Sequence, residues 1–68
     1  MTTLATRLRQ LRREAGYTQP EFGRAVGVHR SRVSRIERGL AYPDILLLMR
    51  MAKLLQVRTD YLLGLEEK

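Results

Sequence analysis

A chain of 68 residues with no cysteine and 44% apolar side chains folds around a thin core and has no disulfide or thiolate chemistry. Its net charge of +6 is all arginine and all early: residues 1–39 hold nine Arg against three Glu, while residues 40–68 hold four basic and four acidic side chains. That asymmetry points to a polyanion-binding face, although a basic surface can also serve solubility alone.

One domain over residues 1–68 is expected, built as an all-α, compact five-helix bundle with no repeat and no alternating, strand-like run. The first helix is predicted from Thr2 or Thr3 to Ala15, with Leu4, Leu8 and Leu11 on one stripe and Gly16 at its end. The second starts at Thr18, where three signals agree. Thr18 can cap, Glu21 stands at the capping-box position and Pro20 lies in the first turn. It stops at Gly27. The third covers Arg30 to Arg38 and ends at Gly39. Asp44 is the expected cap of a fourth helix reaching Leu55, and Asp60 the expected cap of a short fifth one, "YLLG".

The stretch "HRSRVSRIERG", residues 29–39, carries the main chemical signal. At 3.6 residues per turn, Val33, Ile36 and Glu37 share the inward side of the third helix. Arg35, Arg38, Ser31 and Ser34 lie nearly opposite, with Arg30 and Arg32 at the margins. Such a face suits a duplex. Arginine donates in pairs to guanine O6 and N7, and short serines allow close approach. The same face could be an ordinary solvated surface, since helices tolerate arginine well.

An inward Glu37 needs a partner, because a buried lone carboxylate is very costly. Arg12, beside the Leu8 and Leu11 stripe, is the candidate, either as a buried pair or as a loose surface contact.

The whole order of signals resembles the XRE-type helix-turn-helix family, the phage-repressor-like DNA-binding domains of bacterial regulators. The likeness runs from about residue 4 to 64 through "LR", "TQPEF", "VGV", "SRIERG", a proline ahead of the fourth helix, and "DYLLG". It implies a helix-turn-helix over about 18–38, with the third helix reading double-stranded DNA. Base contacts then match Arg30, Ser31 and Arg35, with Ser34 close by. Phosphate contacts match Gln19 and Arg38, joined by Thr18 at the second helix's amino end and Arg32 at the margin. The family's ion pair matches Arg12 and Glu37.

Three positions depart from the family pattern. His29 stands where Ser or Thr usually caps the third helix; it either reaches a phosphate when protonated or is simply tolerated. Gly23 replaces a common Ala where the two helices pack. Gln56 replaces a Gly after the fourth helix, which would put a larger residue into a left-handed turn.

Leu40, Tyr42, Leu46, Leu47 and Leu54 are apolar at positions expected on the surface. They suggest a two-fold dimer, or else they pack on their own core through a shifted helix. A dimer would suit a palindromic operator, since two half-sites about one helical turn apart multiply specificity.

The leading expectation is therefore a cytoplasmic transcriptional regulator, a repressor or activator, with no cofactor and no membrane partner. The alternative is an antitoxin- or adaptor-like module that binds an unidentified protein through the apolar 40–54 surface. A basic RNA-associated factor is a third reading, weakened by the lack of an aromatic stacking platform. An enzyme is not expected: there is one His, no Cys, no phosphate loop and no metal-ligand spacing. The longest apolar run, "ILLLMRMAKLLQV", is broken by Arg50 and Lys53 and too short for a bilayer. "MTTLATRLRQ" lacks the features of a secretory signal.

Overall fold

Side-chain caps start four of the five helices. The computed structural model describes residues 2–65, so the expected domain limits, 1 and 68, lie outside them. Among the described residues the helices are α1 (Thr3–Glu14), α2 (Gln19–Val26), α3 (Arg30–Glu37), α4 (Ile45–Leu55) and α5 (Thr59–Leu63), with no strand. Thr2 accepts from the Ala5 amide at 3.1 Å and starts α1. At α2 the capping box is complete: Thr18 Oγ1 accepts from Glu21 N, and Glu21 Oε1 accepts from Thr18 N at 2.9 Å. Asp44 Oδ1 accepts from Leu47 N at 2.9 Å and starts α4. These bonds, made to backbone amides by the charged form, hold the carboxyls of Glu21 and Asp44 below the usual carboxylate range.

The fifth start differs from expectation. Arg58, not Asp60, occupies the cap position, and it makes no side-chain cap bond. Asp60 falls two residues after the cap, in the first turn of α5, where its charge complements the helix's positive end. Arg7 of α1 closes over α5, donating to the Tyr61 carbonyl with its guanidinium 4.2 Å from the Tyr61 ring.

Leu4, Leu8, Phe22, Val26, Val33, Ile36, Leu47, Met51, Ala52 and Leu62 form one buried cluster to which all five helices contribute. Tyr17 meets Phe22 edge-on, with ring centres 5.9 Å apart. Leu47 belongs to this core, with 3% of its surface exposed, and the half-buried Leu54 packs against it. The expectation that Leu47 lies on the outer surface was therefore wrong, and Leu54 lies there only in part. Helix α4 reads "ILLLMRMAKLL", apolar on nearly every side, so periodicity alone could not choose its inward stripe. Packing selects Leu47 and Met51, four residues apart, and turns Ile45 and Met49 outward.

Gln56 ends α4 in the left-handed region (φ 58°, ψ 42°), as its position in place of glycine implied. A non-glycine residue there costs about 1–2 kcal/mol. We expect Gln56→Gly to raise the unfolding free energy in urea by about 1 kcal/mol. An unchanged or lower midpoint would mean that the Gln56 side chain offsets its own backbone cost.

Candidate nucleic-acid interface

Helix α3 is amphipathic in charge as well as hydropathy. Val33, Ile36 and Glu37 are buried, whereas Arg30, Ser31 and Arg35 are exposed and Ser34 is half-buried. Arg38 follows as the exposed C-cap. The predicted base-reading set thus shares one accessible face on a rigid element.

Behind that face stands the predicted ion pair, and it is buried. Arg12 Nε donates to Glu37 Oε2 at 2.6 Å and Arg12 Nη2 to Oε1 at 3.0 Å. Arg12 Nη1 donates to the Tyr17 carbonyl at 2.7 Å. Gln19 Nε2 completes the group, donating to Glu37 Oε1 at 3.1 Å. Glu37 is 3% exposed and Arg12 6%. Among the described residues no buried side-chain polar atom lacks a partner. The last residue of α3 is thereby fixed to both α1 and the first residue of α2. This bidentate arrangement matches arginine's planar fork to the carboxylate.

Gln19 therefore has two surroundings. It touches Glu37, and it also lines an open cleft with Arg9, Arg13, Ser34 and Arg38. Predicted phosphate contacts from α2 and from the end of α3 are brought together there. Arg9 and Arg13, on the exposed side of α1, were missed by sequence reasoning. Only the packing of α1 on α3 reveals them, although their sign and four-residue spacing offered a weak hint. Thr18 is exposed and occupied as the α2 cap. Arg32 stands apart: it pairs with Asp44 at 3.3 Å, in an exposed contact between α3 and α4. Pairs of that kind contribute under about 1 kcal/mol.

The turn between α2 and α3 is tight. Gly27 ends α2 with φ 85°, and the amides of Gly27 and Val28 both donate to the Gly23 carbonyl, at 2.8 and 2.9 Å. A Cβ at Gly23 would lie 2.6 Å from the Val28 carbonyl oxygen and 3.3 Å from the Arg30 amide nitrogen. Glycine at this position lets the two helices approach more closely than alanine would.

A second surface carries exposed apolar side chains, interleaved with Arg50 and Lys53. Leu40, Tyr42, Ile45, Leu46 and Met49 are all more than half exposed. Leu40, Tyr42 and Leu46 were anticipated there; Ile45 and Met49 take the places assigned to Leu47 and Leu54. Among the described residues no helix is long and apolar enough to cross a membrane.

Two short helices joined by a glycine turn, the second presenting cations and hydroxyls, define a helix-turn-helix domain of the phage-repressor-like fold. Residues 8–62 match the helix-turn-helix family, and the chain belongs to it. It is 38% identical over 65 residues to the HTH-type transcriptional regulator ImmR of Bacillus subtilis (strain 168), covering 96% of this chain and 51% of that one. The chain thus spans about half the length of that relative. The P22 c2 repressor in complex with a synthetic operator superposes with a TM-score of 0.88 at 32% identity, covering 93% of this chain and 96% of the repressor chain. SinR, the master regulator for biofilm formation, in complex with DNA gives 0.81 at 36% identity, with 88% and 97% covered. SinR in its complex with SinI gives 0.82 at 36%, with 88% and 59% covered.

Proposed function

We propose that this protein is a transcriptional regulator that binds double-stranded DNA sequence-specifically, with α3 in the major groove. The observation that carries the reading is the face of α3 itself: exposed arginines and serines without an acid, backed by a buried Arg12–Glu37 pair and flanked by a cationic cleft. Similarity to the P22 c2 repressor and to SinR, whose structures contain operator or DNA, supports it. Arg30, Ser31, Ser34 and Arg35 read base edges. Gln19, Thr18 and Arg38 take phosphates, now joined by Arg9 and Arg13, and Arg32 adds to them with the donors that Asp44 does not engage. The place of action is the cytoplasm, and the role is binding rather than catalysis.

Selection from a random duplex library tests the reading, and two variants test its division of labour. Arg35→Ala should cost about 1–3 kcal/mol on the selected site and relax preference at one base position. Arg38→Ala should weaken every duplex alike and lower the salt slope by about one unit. Identical behaviour of the two would refute the split between base and phosphate contacts.

We further propose that the protein acts as a homodimer on a palindromic operator, joined through Leu40, Tyr42, Ile45, Leu46 and Met49. Five exposed apolar side chains on one element and the turn before it support an interface there. Sedimentation should give a dimer for wild type and a monomer for Leu46→Glu; a wild type that stays monomeric at high micromolar concentration ends this reading. The same surface supports the second reading, capture of another protein, which the SinR–SinI complex makes concrete for a relative. A co-purifying second chain would favour it.

A further inference from the structure

A second cationic cleft, separate from that of Arg9, Arg13 and Arg38, lies between α2 and the start of α3. Pro20, Arg24, Val28, His29 and Arg30 line it. Only Arg30 has a role so far, and that role is base reading. Neither the Arg24 nor the Arg30 side chain has a hydrogen bond or ion pair with another described residue. Arg24 interacts electrostatically with Glu21, whose carboxylate is already held by the Thr18 amide.

His29 supplies the decisive detail. It is the N-cap of α3, and its Nδ1 accepts from the Ser31 backbone amide at 3.1 Å, with Ser31 Oγ at 2.9 Å. A backbone amide can only donate, so Nδ1 must keep its lone pair free of a proton. The neutral ring then carries its hydrogen on Nε2, on the opposite edge. Capping therefore selects the tautomer with one N–H donor to spare. A serine or threonine cap would satisfy the same amide, but its spare O–H stays at the backbone, without the reach that the far edge of the imidazole gives Nε2–H.

We propose that Arg24 and His29 together hold a backbone phosphate of DNA at the amino-terminal end of α3. His29 Nε2–H and the Arg24 guanidinium donate to its oxygens. The proposal rests on the DNA-binding reading above and extends it. A helix lying in the major groove has a phosphate strand on either side, because the groove is only about 12 Å wide. The cleft of Arg9, Arg13, Gln19 and Arg38 addresses the strand at the carboxyl end of α3. Arg24 and His29 address the other one. Arg30 is then flanked by fixed backbone contacts, which sets its register on the bases.

The test uses the whole chain and its selected duplex, with single uncharged methylphosphonate linkages walked along each strand. For wild type, one position facing the amino end of α3 should lower affinity about tenfold, the scale of a hydrogen bond to a charged group. His29→Ser retains a capping oxygen. It should melt like wild type, bind the unmodified duplex about tenfold more weakly and lose its response to that linkage. Arg24→Gln should lose the same response and also lower the salt slope by about one unit. If His29→Ser binds like wild type, or if both variants remain as sensitive to the linkage, the site is overturned. If wild type enriches no duplex over random competitor, the DNA-binding reading fails first, and the phosphate site falls with it.

Discussion

Glu37→Ala should lower the unfolding free energy by about 3–5 kcal/mol, the usual cost of stranding one member of a buried ion pair. The stranded group is Arg12, 6% exposed, which would lose two of its three hydrogen bonds, while Gln19 Nε2 would lose its acceptor. A domain of this size has roughly 3–10 kcal/mol in total at about 0.05–0.15 kcal/mol per residue. The variant should therefore be partly or wholly unfolded near 37 °C. Replacing both partners, as in Arg12→Met with Glu37→Leu, should restore most of the loss, because the pair contributes little net stability over a well-packed apolar substitute. Urea unfolding of the two proteins measures both effects. A loss under about 1 kcal/mol for Glu37→Ala would show that water already reaches the pair.

Gly23→Ala is the second large effect, and its sign runs against helix propensity. In an exposed helix the change gains about 1 kcal/mol. Here the new methyl meets the Val28 carbonyl at 2.6 Å, and backbone, not a flexible side chain, must yield. Overpacking of that kind costs typically about 1–3 kcal/mol. The residues that move are Val28, His29 and Arg30, the entry to the reading helix. Lower melting temperature and weaker duplex binding should therefore appear together. A variant that melts higher and binds equally well would mean the turn relaxes freely.

Much of this was legible in sequence because local chemistry and global packing agree over the first three helices. The capping box at Thr18 and the glycine stops at Gly16, Gly27 and Gly39 are short-range signals that tertiary structure had no reason to override. Glu37 was legible for a different reason: an acid on the apolar side of an arginine-rich helix demands a partner, and Arg12 was in reach. Where local signals were degenerate, reading failed. Helix α4 offers several equivalent apolar stripes, and only contact with Phe22, Leu62 and the rest of the core singles out Leu47 and Met51. Arg9 and Arg13 were illegible because exposed arginines on a helix carry no mark of which neighbour they will face. Asp60 misled by being a good cap two residues too late.

The guanidinium of Arg12 sends its three nitrogens to three different oxygens, two on Glu37 and one on Tyr17. A single tetrahedral ammonium would keep the electrostatic attraction yet could not span that flat trident of acceptors. What this site requires is thus a shape rather than a charge, and lysine is no substitute there, however conservative the exchange looks on paper.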